Sequence, residues 1–208
     1  FDFFLSKIII QLVKSFTIRP KKIFINSFFN YNFKSRKFVL IKPLLRNVII
    51  SVKPATKHHI LVYQTSKSNK KLIEELQEIN EKFIVYGFYK NKTLGNVILK
   101  DFSEKEFLKD LTSCKAVITN GGFTLISEAL YLKKPILSIP IKKQFEQILN
   151  AIYLERLGYG MLSESTNKKI IQKFIKNIPK FRNNLRNYKK YDNKEAIKKI
   201  NGAIKSLS

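Results

Sequence analysis

The chain has 208 residues, of which 44% are hydrophobic and 12% aromatic, and it carries a net charge of +25. That apolar content supports a packed core and excludes wholesale disorder, while the length suits one full α/β domain with part of another. A single cysteine, Cys114, excludes an internal disulfide framework and, with no His or metal-ligand spacing beside it, is expected as a buried structural thiol in a reducing compartment.

The chain opens on Phe1 inside an apolar pattern, which reads as a fragment of a longer protein. Phe4, Ile8, Leu12, Val13 and Phe16 recur at helical spacing and predict a helix over residues 3–16, stopped by Arg19-Pro20. Its run Ile8 to Val13 is too short to span a bilayer, and no cleavage pattern of a signal peptide follows. Short strands are expected over 22–26 and 38–41, then a junction around Pro43. A second breaker cluster, Lys53 to Lys57, is the expected domain boundary.

Beyond it the pattern alternates. Strands are expected over 59–63, 82–86, 96–99, 116–119 and 135–139, and helices over 69–80, 104–112, 123–132 and 144–157. Buried strands alternating with helices predict a Rossmann-like, doubly wound parallel sheet. Residues 167–208 are expected as basic helices broken near Pro179 and around Asp192-Asn193. The expected organisation is thus residues 1–52 as a remnant of an N-terminal domain and linker, 53–166 as the Rossmann-like domain, and 167–208 as basic helices packing back on the N-terminal domain.

The charge follows this division. Residues 1–57 hold 12 Lys and Arg against 1 acid, residues 58–167 hold 15 against 12, and residues 168–208 hold 13 against 2. The flanks suit either a solvated basic face or a surface turned to anionic lipid. A nucleic-acid module is the reading from another class, but no zinc, RNP-type or helix-turn-helix signature accompanies the charge. The aromatics also fall mostly at core-periodic positions, so no nucleic-acid partner is expected.

In open α/β sheets ligands bind at the carboxyl ends of the strands. Three segments fall there. Gln64, Thr65 and Ser66 follow the first strand of the domain and can donate to phosphate oxygens; capping by Ser66 or Ser68 is the plainer alternative. Asn120, Gly121 and Gly122 separate a strand from a helix, where glycine permits close backbone approach and the helix presents free N–H groups to an anion. Glu128, two turns into that helix among apolar residues, can accept hydrogen bonds from a vicinal diol such as ribose, or can simply be an exposed helix-face acid. Gln144, Glu146, Gln147 and Asn150 supply the dense donors and acceptors that sugar hydroxyls require, and an ordinary polar helix face would look similar. The pair His58-His59 has no third ligand nearby, and no paired-Asp motif offers a metal site, so no metal or cofactor is expected.

Together, Thr119 to Leu130, Lys134 to Pro140 and Gln144 to Ala151 resemble the C-terminal half of GT-B glycosyltransferases. They are similar to the family that includes the peptidoglycan N-acetylglucosaminyltransferase, and to a group of mainly archaeal glycosyltransferases with a segment like Tyr63-Gln64-Thr65-Ser66. The resemblance implies that Gly121, Gly122, Phe123 and Thr124 hold a diphosphate, that Glu128 binds ribose and that Phe102 and Ser103 receive the base, usually uracil. It implies that Glu146 and Gln147 contact the donor sugar, where the peptidoglycan enzyme has two amides. It further implies transfer of a hexose or N-acetylhexosamine from a UDP-sugar to a lipid-linked or glycan acceptor, with inversion and without metal. The general base is expected in the N-terminal domain, and the location in the cytoplasm, with the inner face of the membrane as a more specific option. A nucleotide-sugar epimerase of the same fold is the near alternative.

Overall fold

The computed structural model describes residues 20–55, 57–64 and 70–206. The helix expected over 3–16, and Thr65, Ser66 and Ser68, lie outside the described residues. The chain divides into two compact units, one of residues 1–44 and 191–208 and the other of residues 45–190.

In the smaller unit, β1 (Ile23–Asn26) and β2 (Phe38–Ile41) pair in parallel, with Ile23 opposite Phe38 and Asn26 opposite Ile41. Phe28 and Ile41 are buried in it. The C-terminal helix α7 (Asn193–Lys205) buries Ala196, and its Lys199 Nζ donates to the Leu40 carbonyl at 3.3 Å. Asp192 caps that helix by accepting from the Lys194 N–H.

The larger unit begins with α1 (Asn47–Ser51), a short helix not expected from the sequence. It continues through β3 (His59–Tyr63), α2 (Lys70–Gln77), β4 (Lys82–Tyr86), β5 (Lys92–Leu94) and β6 (Val97–Lys100). Then come α3 (Glu104–Ser113), β7 (Ala116–Thr119), α4 (Phe123–Tyr131), β8 (Ile136–Ser138), α5 (Phe145–Arg156), β9 (Gly160–Leu162) and α6 (Lys168–Leu185). The seven strands order as β5-β6-β4-β3-β7-β8-β9, and only β5 runs antiparallel. Without β5, the parallel strands in chain order read 3-2-1-4-5-6, the doubly wound arrangement. Successive connections leave β3 and β7 in opposite directions, so a crevice opens between the carboxyl ends of these two neighbours.

Alternation along the strands sorts the core. Ile60, Val62, Phe83, Val85, Ala116, Ile118 and Leu137 join one cluster with Leu72 and Leu76 of α2. The residues between them, Leu61, Val117 and Ile136, are fully buried and face the other side of the sheet.

Three expectations need correction. The boundary falls at 44/45 and not at 52/53, because Ile49 is fully buried and the Lys53–Lys57 segment is stitched to α3. There, the Ala55 and Lys57 N–H groups donate to the Thr112 and Ser113 carbonyls. The helix α6 belongs to the larger unit and not to a separate tail, since Ile171, Phe174, Ile178 and Phe181 complete the core cluster. It also runs unbroken through Pro179, where the lost backbone bond is offset by the burial of Ile178 and Phe181 on either side.

Candidate functional site

The side chains at the crevice are set by the strand ends. Gln64 follows β3 directly and is buried, and Asn120 follows β7 directly and is also buried. The Asn120 amide donates to Gln64 Oε1 at 3.0 Å and to the Ile139 carbonyl at 3.2 Å, bridging the crevice and the next strand end. Among the described residues the buried Gln64 amide nitrogen has no hydrogen-bond partner, leaving a donor at the switch point with capacity for another acceptor. Gln64 and Asn120 are therefore brought together from positions 56 residues apart.

The next two residues make the turn into α4. Gly121 has φ of +97°, and a Cβ there would come within 2.8 Å of Ser138 Oγ and 3.0 Å of the Gln147 carbonyl oxygen. Its own carbonyl accepts from the Asn150 amide at 3.1 Å, so α5 clamps the turn from beside it. Gly122 sits at the N-cap of α4 in extended conformation, and a Cβ there would meet nothing within 4 Å. The helix thus starts at open space, with its first N–H groups and the positive end of its dipole directed there. Phe123 is half-buried and Thr124 exposed in the first turn.

Glu128 departs from the exposed-acid alternative, its side chain being 1% exposed. Arg46, immediately before α1, donates through Nε to Glu128 Oε1 at 2.7 Å and through Nη2 to Oε2 at 2.6 Å. Its Nη1 donates to Glu104 Oε1 at 2.9 Å, at the start of α3. The Glu128 hydrogen bond, reinforced by Glu104, raises the Arg46 pKa above its ordinary value. Sequence reading missed Arg46, because nothing local marks a partner 82 positions away. The only available signal was a lone Arg following the Pro43 junction.

Beside this cluster the aromatic side chains gather. Phe102 is exposed and Ser103 is at the N-cap of α3. Tyr63, Tyr86 and Phe107 surround Phe102, with ring centroids 6.4, 6.5 and 5.7 Å from it. Beneath them Tyr86 Oη donates to Asp110 Oδ2 at 2.7 Å, and Lys100 Nζ donates to the same oxygen at 2.6 Å. Burial, first, and then the Asp110 carboxylate raise the Tyr86 pKa, so this phenol is held protonated. The result is an aromatic wall at the ends of β3, β4 and β6, in which the exposed Phe102 ring is available for stacking.

The third expected segment is split by the structure. Gln144, at the N-cap of α5, and Glu146 in its first turn are both exposed. Gln147 is half-buried, and its Oε1 accepts from the Ile141 N–H at 3.0 Å, shaping the loop after Pro140. Ser138 Oγ, at the end of β8, is buried beneath Gly121 and has no hydrogen-bond partner among the described residues. At the other end of β3, His59 is buried and its ring Nε2 lies 3.0 Å from the Asp110 carbonyl, while burial lowers its pKa. Burial likewise pushes the Cys114 thiol up to about 12, in keeping with a structural thiol.

This sheet order, with its glycine turn at the switch point, is the Rossmann-like half of a GT-B glycosyltransferase fold. The glycotransferase of kitacinnamycin superposes with a TM-score of 0.59 at 17% identity, over 74% of this chain and 44% of that one. The spinosyn forosaminyltransferase gives 0.55 at 15% identity, over 79% and 50%. At the level of sequence, residues 4–179 match the model of glycosyl transferase family 1, and the chain belongs to that family. A UDP-N-acetylglucosamine–N-acetylmuramyl-(pentapeptide) pyrophosphoryl-undecaprenol N-acetylglucosamine transferase of Bacillus cereus is 32% identical over 131 residues, 56% of this chain and 37% of that protein. An uncharacterised glycosyltransferase of Methanosarcina acetivorans is 40% identical over 84 residues, 40% of this chain and 22% of its own length. The chain thus spans well under half the length of these relatives.

Proposed function

We propose that this chain is the donor-binding part of a glycosyltransferase that moves a hexose or N-acetylhexosamine from a UDP-sugar to a lipid-linked or glycan acceptor. One observation carries the reading: at the switch point a glycine turn, an open helix N-terminus and a buried Gln64 amide donor with no partner among the described residues converge. In this reading the diphosphate lies against Gly121, Gly122, Phe123 and Thr124, with Gln64 and Asn120 below; Thr65 and Ser66, expected from the sequence to join them, lie outside the described residues. The base stacks at Phe102 and Ser103 against the aromatic wall. Glu128 takes the ribose diol, and Gln144, Glu146 and Gln147 face the sugar.

The chemistry follows from that placement. Breaking the bond between the anomeric carbon and the diphosphate leaves negative charge on the leaving oxygens, and fixed N–H donors at a helix N-terminus stabilise it without reorganising. We infer direct displacement with inversion, independent of a metal, and a general base from the N-terminal domain of the longer protein. The acceptor class is supported by the name of the Bacillus cereus relative, which acts on a pyrophosphoryl-undecaprenol substrate. An anionic membrane is proposed as a peripheral partner on the cytoplasmic side, supported by α7. Its Ile197 and Ile204 are 49% and 59% exposed beside Lys194, Lys198 and Lys205.

Calorimetric titration of the chain with UDP, UDP-N-acetylglucosamine and UDP-glucose tests the donor reading. Binding below millimolar Kd, weakened at least tenfold in Glu128→Ala, is expected. Absence of binding by all three would refute it.

A further inference from the structure

The ribose role given to Glu128 conflicts with its state in the free protein. Both carboxylate oxygens already accept hydrogen bonds from Arg46, and the side chain is 1% exposed, whereas Arg46 is 34% exposed. A diol cannot reach a carboxylate held in this way unless the guanidinium moves. Arg46 has somewhere to go, because it already holds a second carboxylate, Glu104, which is 63% exposed at the rim of the same crevice. One cation shared between a buried acid and a surface acid has two resting places, and the two differ in whether Glu128 is covered.

Resting on the donor-binding reading, we propose that Arg46 is a positioning residue that governs ribose access. In the nucleotide-free protein its guanidinium stands on Glu128 where the ribose diol would bind. The nucleotide exchanges that ion pair for two hydroxyl–carboxylate hydrogen bonds, and Arg46 withdraws onto Glu104. No covalent bond changes in this exchange. The buried pair keeps Glu128 charge-compensated until the diol arrives, since an ionised carboxylate at this depth is costly without a partner. Affinity for the nucleotide is accordingly reduced by the fraction of molecules whose Glu128 is uncovered.

Arg46 and Glu104, which flank the same contact, then act on UDP affinity in opposite directions. Replacing Arg46 by Met removes the cover, and UDP binds about tenfold tighter if the uncovered state is near a tenth of the population. Glu104→Gln removes the alternative resting place and weakens UDP binding severalfold. Pyrophosphate, which has no ribose, binds all three proteins alike. Arg46→Lys keeps a charge but loses the two-pronged contact, and falls between wild type and Arg46→Met.

Calorimetry of the full 208-residue chain and these variants, with UDP and with pyrophosphate, reads each result directly. Weaker binding of both ligands to Arg46→Met would instead make Arg46 a direct phosphate contact and overturn the proposal. Unchanged UDP affinity in Arg46→Met and Glu104→Gln, with Glu128→Ala still weakened, overturns it while sparing the donor reading. Failure of the wild-type chain to bind UDP removes the donor reading itself. Should Arg46→Met lose its cooperative melt, the pair Arg46→Lys and Glu104→Gln still gives the two opposite shifts.

Discussion

A methyl group at Gly121 would sit 2.8 Å from Ser138 Oγ, in a backbone conformation of φ +97° that side chains avoid, whereas one at Gly122 would project into empty space. The neighbouring substitutions therefore separate folding from binding. Gly121→Ala is expected to cost about 2 kcal/mol through backbone strain and crowding, lowering the melting temperature. Gly122→Ala should melt as the wild type does yet bind UDP roughly tenfold more weakly, because its methyl occupies the space in front of the helix N-terminus. Equal melting temperatures for the two variants would contradict this assignment. His59 gives a pH test at the same scale. Burial lowers its pKa below the ordinary value of 6.5, so between the two values the unfolded chain binds more protons than the folded one. Its contribution is fully present above pH 6.5 and is lost as pH falls towards the folded value. Unfolding free energies from denaturant titrations between pH 7.5 and 5.5 should therefore fall less steeply in His59→Gln than in the wild type, by up to about 1.4 kcal/mol per pH unit.

Among the elements, α6 offers the sharpest test of how the chain is divided. Phe174 is fully buried in the core cluster, so Phe174→Ala should destabilise the larger unit by about 3–5 kcal/mol, seen as a shifted chemical-denaturation midpoint. A mere surface tail would leave it unmoved. The sequence showed helical periodicity here but not its destination, since charged residues between Ile171 and Phe181 mask how deeply the apolar stripe is buried. The central strands were legible because β3, β4 and β7 are apolar on both faces, a pattern that only a covered parallel sheet produces. The edge strands were not: Lys92-Thr93-Leu94 has one covered face at most, and Gly160-Met161-Leu162 is too short to show alternation. Of the candidate site, the glycine turn and Glu128 were legible from spacing around one βα junction. The burial of Glu128 and its pairing with Arg46 were not, because they depend on a contact between distant positions. The half-structural use of Gln147 in holding Ile141 was hidden for the same reason.

For the whole molecule, the uneven charge has a consequence that can be measured. The flanks carry most of the +25, and α7 adds two exposed isoleucines to its lysines, which suits adsorption to an anionic surface rather than groove binding to nucleic acid. Co-sedimentation with vesicles containing a third phosphatidylglycerol should be strong at low salt and fall with added NaCl. Ile197→Ser with Ile204→Ser should weaken it further at fixed charge. Binding unaffected by the double substitution would reduce the interaction to charge alone. The donor-binding reading places the nucleotide at the carboxyl ends of β3 and β7, between the glycine turn and the aromatic wall. Amide chemical shifts of the ¹⁵N-labelled chain, followed as UDP is added, test that placement most directly. The account predicts saturable shifts at Gly121, Gly122, Phe123 and Ser103 and in the turn carrying Glu128. Shifts confined to the opposite ends of the strands, around His58, Asn80 and Asn96, would contradict it.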